Sequence, residues 1–350
     1  MPNGSRRSRA VRARTGDPLV DEAVLALLDS LGIDGDRDLV SEMLATVAKL
    51  ARDRTDRGDL KIVNGALREM RSSFGTFAPF RGDPKASVFG SARTHPDEPA
   101  YQLAVDLGRA LADAGWMVIT GGGPGIMHAA VSGAGRHNSF AVTIRLPFEP
   151  TAASTLVDDD HLVRFRYFFT RKLTFMKESS AYVVFPGGFG TLDETFELLT
   201  LVQTGKESPA PIVLIDPPED HYWVTWIDFI RHELVEAGLV APDDLDLVFL
   251  TSSVGDAVAY IDGFYRNYHS MRSVDERLCI RMNHAIDDAS LATLNEEFAD
   301  ILASGVIERC EAFPVEVDDL DEVDRPRLVL NFNRRHFARL HQLCRRLGDF

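Results

Sequence analysis

Apolar positions along the chain change their period twice. After Asp17 and Pro18, which suit an N-cap and a first helical position, Val20, Val24, Leu27 and Leu28 recur at helical spacing until Gly32. Leu39, Met43, Leu44, Val47 and Leu50 predict a second helix, and Asp59, Ile62, Val63, Leu67 and Met70 a third. From about residue 84 the pattern becomes short buried runs alternating with amphipathic stretches: ASVFGS at 86–91, WMVIT at 116–120, FAVTI at 140–144, AYVVF at 181–185 and PIVLI at 211–215. Runs this short and β-branched suit strands covered on both faces, which is the pattern of a parallel sheet. Between the first two, Leu103, Leu107, Ala110 and Leu111 form one stripe that stops at Gly115. Right-handed crossovers then predict an α/β, doubly wound, Rossmann-like sheet.

Beyond about residue 270 the pattern changes again. LCIRMN at 278–283 predicts a strand, Leu291, Leu294, Phe298, Ile301 and Leu302 a helix closed by Gly305, and VIERC, RLVLNF and a last helix over 334–347 complete a small α+β piece. The expected organisation is a disordered basic tail over 1–16, an N-terminal helical extension over 17–80, the Rossmann-like nucleotide-binding domain over 81–270 and a C-terminal α+β unit over 271–350. The tail rests on Arg6, Arg7, Arg9, Arg12 and Arg14, which have almost no apolar neighbours to pack against.

Composition narrows the function. The 350 residues carry 38 basic and 53 acidic side chains, a net charge of −15, which argues against nonspecific binding to nucleic acid. An anionic ligand must therefore find a local positive site. No apolar run reaches the roughly 20 residues a bilayer demands, and the arginine-rich start has no secretory hydrophobic stretch, so a cytoplasmic protein without membrane contact is expected. Cys279, Cys310 and Cys344 are odd in number and show no metal spacing; reduced thiols and no bound metal are expected.

Three stretches carry candidate chemistry. Pro186-Gly187-Gly188-Phe189-Gly190-Thr191-Leu192-Asp193-Glu194 joins a buried strand to a helix containing Phe196, Leu199 and Val202. Glycines there let the backbone approach a ligand, and the free N–H groups at a helix start favour an anion such as phosphate. Thr191 is expected to cap the helix and to offer its hydroxyl to that phosphate. A second loop, Gly121-Gly122-Gly123-Pro124-Gly125-Ile126-Met127, follows another strand, so both loops can line one crevice beyond the carboxyl ends of the strands. With no acidic ribose clamp after the next strand, the loop fits a nucleoside monophosphate better than NAD. Gly90-Ser91-Ala92-Arg93 is a third possible wall. The last stretch, Arg164 to Lys172, mixes cations with aromatic rings and runs into a helix on which Phe168, Arg171, Lys172 and Phe175 share a face. A solvated basic face is the plainer alternative there.

Taken together, GGGPGIM, then RK-x-x-x-M, then PGGFGTLDE resemble the Lonely Guy family, cytokinin riboside 5′-monophosphate phosphoribohydrolases and related bacterial nucleotide nucleosidases. The likeness covers about residues 84–268. It implies hydrolysis of the N-glycosidic bond of a nucleoside 5′-monophosphate, AMP or an N6-modified AMP, to free base and ribose 5-phosphate, without a cofactor. It also implies a catalytic pair, Arg171 and Glu194. A carboxylate near C1′ suits an oxocarbenium-like transition state and can take a proton from attacking water, while a guanidinium can orient substrate or stabilise the leaving base. Gly187, Gly188, Gly190 and Thr191 would hold the phosphate, with Ser91 and Lys172 also in the binding set. Gly122, Gly123, Gly125 and Met127 would meet ribose or base, and Glu197 the ribose hydroxyls. Asp193 has the plainer role of a first-turn acid. Family members self-associate, so a homodimer or higher homo-oligomer is expected. Relatives are often labelled lysine decarboxylases, but no phosphate cup and pyridinium partner for pyridoxal phosphate surround Lys172. The alternative is a non-catalytic nucleotide or molybdenum-cofactor carrier on the same sheet; Arg171 and Glu194 occurring together favour the enzyme.

Overall fold

The computed structural model describes residues 15–33, 35–145 and 157–350. The arginines at 6–14 of the expected tail lie outside that set. The chain divides into two units, one of residues 15–67 with Glu311–Asp324, the other Arg68–Cys310 with Arg325–Phe350.

The smaller unit holds α1 (Pro18–Ser30), α2 (Arg37–Arg52), the first half of α3 (Arg57–Phe77) and, later in the chain, a short helix at Pro314–Asp319. Asp17 caps α1 by accepting from Leu19 N at 3.0 Å, with Pro18 in the first turn, as the Asp-Pro pair predicts. Arg52 at the end of α2 closes back on Asp17 at 2.9 Å.

The larger unit is built on β1 (Lys85–Phe89), α4 (Pro99–Asp113), β2 (Met117–Thr120), α5 (Ile126–Ala134), β3 (Ser139–Ile144), β4 (Leu162–Phe165), α6 (Phe168–Glu178), β5 (Ala181–Val184), α7 (Phe189–Gln203), β6 (Ile212–Ile215), α8 (Tyr222–Phe229), β7 (Val248–Thr251) and α9 (Val254–Tyr265). Seven strands pair in parallel in the order β4-β3-β2-β1-β5-β6-β7, so the direction of winding reverses between β1 and β5. Period-two alternation places Ala86, Val88, Val118, Ala181, Val183, Val213 and Ile215 against α4, α5 and α9, and Ile119, Phe140, Val142, Tyr182, Val184, Ile212 and Leu214 against α6, α7 and α8. The fold is therefore the expected doubly wound α/β sheet. A second, four-stranded antiparallel sheet of order β10-β11-β9-β8 follows, made of β8 (Tyr268–Val274), β9 (Arg277–Met282), β10 (Leu302–Cys310) and β11 (Arg327–Phe332) and packed with α10 (Asp288–Glu297) and, after the short helix α11 (Pro314–Asp319), α12 (Phe337–Arg346).

One expectation is corrected here. The helix drawn to Leu302 and Gly305 stops at Glu297; Leu302 opens β10, and Gly305 lies in that strand where its register against β11 shifts. The stretch from Arg164 runs into a helix as expected: Arg164 and Phe165 end β4, and α6 begins at Phe168.

α12 carries His341, fully buried, whose Nε2 donates to Ala210 O at 3.0 Å. Burial, with help from Arg345, pushes its pKa down to about 4. The unfolded chain takes up this proton below about pH 6.5 and the folded chain only near pH 4, so stability falls on acidification through that window, by up to about 3 kcal/mol. Urea midpoints measured from pH 7 to 4.5 should show this slope in the native chain and a flatter one in His341→Gln; equal slopes would assign the acid sensitivity elsewhere.

Candidate active site

Three loops leave the carboxyl ends of β1, β2 and β5 at the point where the sheet reverses direction, where open α/β sheets form their ligand crevice. Main-chain bonds tie them together. Ser91 N donates to Pro186 O and Ile126 N to Ser91 O, each at 3.0 Å, and Phe185 N donates to Phe89 O at 2.8 Å. Tyr222, at the start of α8, donates its hydroxyl to Gly187 O at 2.7 Å and so fixes the third loop from the other side.

These loops surround an open cleft of about 840 Å³. Arg171, Glu194, Ser91, Met127, Gly187, Gly188, Gly190 and Thr191 all line it, joined by Gly121, Arg93 and the rings of Phe168, Phe175 and Phe189. Gly122, Gly123 and Gly125 do not reach the lining, and neither do Lys172 and Glu197. Phe168 and Phe175, which share a helical face with Arg171, are walls of this cleft, whereas Phe189 and Gly121 had been given no role although both belong to the glycine loops singled out in the sequence.

The third loop runs into α7 with Gly188 at the N-cap and no side-chain cap, so Thr191 is a first-turn residue and not the cap expected of it. Its hydroxyl packs instead against Gly187: a Cβ there would stand 2.1 Å from Thr191 Oγ1, which only glycine avoids. The opening N–H groups of α7 at Phe189, Gly190 and Thr191 have no partner within the helix and carry the positive end of its dipole.

Arg171 projects from α6. Its Nε donates to Val142 O at 2.9 Å, its guanidinium stacks 5.3 Å from the Phe175 ring, and a Cβ on Gly121 would come within 2.5 Å of its Nη2. Burial lowers its pKa and the charge of Glu194 works in the other direction. The start of α6 lacks a capping side chain of its own. Glu69, from the second half of α3, supplies the acceptors, taking Arg166 N at 2.9 Å and Thr170 Oγ1 at 2.6 Å. No local spacing signals this contact, since it spans about 100 residues.

Glu194 is 7% exposed. Lys172 stands 3.1 Å from its Oε2, 3.0 Å from Asp193 Oδ2 and 2.7 Å from Glu197 Oε2, with hydrogen-bond geometry to Glu194. Burial raises the Glu194 pKa, while Lys172 and Arg171 restrain the rise. Burial acts to lower the Lys172 ammonium, but its three carboxylates outweigh it and the net shift is upward. Lys172 is thus a cation shared among acids of α7. His128, near the second loop, pairs through Nδ1 with Tyr101 OH at 2.6 Å. No helix among the described residues is long and apolar enough to cross a membrane.

A family model described as "Possible lysine decarboxylase" matches residues 124–261. A cytokinin riboside 5′-monophosphate phosphoribohydrolase of Mycobacterium tuberculosis is 30% identical over 185 residues, covering 51% of this chain and 92% of that protein. A cytokinin riboside 5′-monophosphate phosphoribohydrolase of Arabidopsis thaliana is 29% identical over 47% of this chain and 76% of its own length. Among solved structures, the molybdenum cofactor binding protein of Rippkaea orientalis is 24% identical, with a TM-score of 0.37 over 51% of this chain and 96% of that one.

Proposed function

Since the chain belongs to the Lonely Guy family of cytokinin riboside 5′-monophosphate phosphoribohydrolases, we propose that it hydrolyses the N-glycosidic bond of a nucleoside 5′-monophosphate, AMP or an N6-modified AMP, to free base and ribose 5-phosphate. The observation that carries this reading is a nearly buried carboxylate, Glu194, lining the same cleft as the opening turn of α7. A phosphate held by the N–H groups after Gly188 and by Thr191 leaves the sugar to extend toward Glu194, one turn along the helix. As the bond to the base breaks, positive charge gathers on the sugar at C1′; the ionised carboxylate stabilises it and takes a proton from the attacking water. The electron pair of the bond leaves with the base, where Arg171 offsets the developing negative charge and the base takes up a proton from solvent. The reaction needs water as its sole co-reactant and no cofactor.

Phe168 and the 95% exposed Phe189 line this cleft, and Phe169 and Leu173 of α6 are exposed as well; apolar side chains left open to this extent support self-association as a homodimer or larger assembly. Localisation in the cytoplasm is part of the same proposal.

The decisive experiment incubates the purified chain with AMP, N6-isopentenyl-AMP, CMP and adenosine and separates free base by chromatography. Release from a purine monophosphate and not from adenosine is the expected result. Equal release from adenosine would overturn the phosphate site, and binding of AMP without release from any monophosphate would favour a carrier.

The pH profile offers a separate check. Glu194 works ionised, so kcat falls as pH drops through its pKa, which burial has already raised above that of an ordinary glutamate. Lys172→Met removes the cation that restrains this rise and should move the acid limb to higher pH, whereas Lys172→Arg should leave it near its native position. A limb unmoved in Lys172→Met would show that Lys172 does not set the charge of Glu194.

A further inference from the structure

We propose that Arg93 recognises the charge of the 5′-phosphate, and that Glu98 and Asp220 close the space beyond it to a second phosphate, so that the cleft selects monophosphates. This deepens the hydrolase reading and rests on it for the location of the phosphate.

The helix start at Gly188 offers a partial positive charge of about half a unit, whereas a phosphate monoester brings nearly two negative charges. The cleft lining also contains the carboxylates of Asp193 and Glu194, in a chain of net charge −15. A full cation is needed close to the third loop. Among the described residues lining the cleft, Arg93 and Arg171 are the cations. Arg171 is committed: Val142 O takes its Nε, and its guanidinium is wedged between Gly121 and the Phe175 ring. Arg93 is exposed, and among the described residues its guanidinium has neither an ion-pair nor a hydrogen-bond partner.

Its position is held by the backbone. Arg93 N donates to Ser91 Oγ at 3.0 Å, and Ser91 is the residue bonded to both neighbouring loops. Arg93, Ser91 and Gly187 line the main cleft and also a side pocket of about 320 Å³, so the arginine stands on the border between them, beside the phosphate loop. From there its planar fork suits two oxygens of one phosphate. The other charged groups lining the side pocket are Glu98 and Asp220. Glu98 is oriented by accepting from His95 N at 2.6 Å. A β-phosphate extending past Arg93 would meet two carboxylates and be repelled.

Isothermal titration of the full chain with AMP, adenosine and ADP tests this without relying on turnover. Arg93→Ala should lower the ratio of AMP to adenosine affinity about 30-fold, as expected for loss of a hydrogen bond between charged groups. Arg93→Lys should recover part of that ratio, and the double variant E98Q/D220N should raise ADP affinity relative to AMP about tenfold. An AMP-to-adenosine ratio within threefold of native in Arg93→Ala would overturn the role of the arginine, and unchanged discrimination against ADP in the double variant would overturn that of the carboxylates. The hydrolase reading fails separately: native protein that binds AMP through Arg93 yet releases no base would sink the reaction and leave the phosphate site standing.

Discussion

Glu194→Gln is expected to lower kcat for base release about 10³-fold while changing the Kd for AMP less than about threefold. Glutamine keeps the size and the oxygen that Lys172 contacts but removes the negative charge and the ability to take a proton. Loss of a general base of this kind costs between about 10² and 10⁴ in rate, and the missing charge beside an oxocarbenium-like sugar adds to it. Folding should survive, because Asp193 and Glu197 remain to neutralise Lys172 at 3.0 and 2.7 Å. Steady-state rates with titration of AMP separate the two quantities. A kcat within tenfold of native would remove Glu194 from the chemistry, and a matching loss of affinity would make it a binding group instead.

The second large effect is expected at Arg171. Arg171→Lys should lower kcat/KM about 10²-fold even though the charge is kept. The guanidinium does two things at once: its Nε holds Val142 O while its terminal nitrogens lie against Gly121 at the cleft. A lysine ammonium can serve one place or the other, so either the carbonyl loses its donor or the cleft loses its cation. The first outcome also costs about 1 to 3 kcal/mol of stability. Thermal melting alongside kinetics therefore reads which site the lysine chooses. A kcat/KM within fivefold of native would leave Arg171 as a packing residue of α6.

The central strands were legible in the sequence because β1, β2, β3, β5 and β6 are covered on both faces and read as unbroken apolar runs. β4 and β7 were not, and both are edge strands: exposed Arg164 interrupts the first, and the second is only half buried throughout. The loop glycines and the strand-to-helix junction before α7 were legible for the same reason, that backbone geometry dictates residue type. What pattern could not supply is direction. Arg171 and Lys172 are adjacent on α6, yet one lines the cleft and the other turns to the acids of α7. Contacts such as Tyr222 with Gly187 and Glu69 with Thr170 join distant segments through single hydrogen bonds, for which a sequence carries no period.

The lacing of the three loops through Ser91 and its neighbours uses amide and carbonyl groups alone. These bonds do not depend on the side chains at Ala92, Arg93 or Met127, so exchange there alters what is recognised while the scaffold, with its glycines and Tyr222 kept, holds its shape. Preference for a nucleobase can thus drift among relatives, or be re-engineered, without rebuilding the pocket.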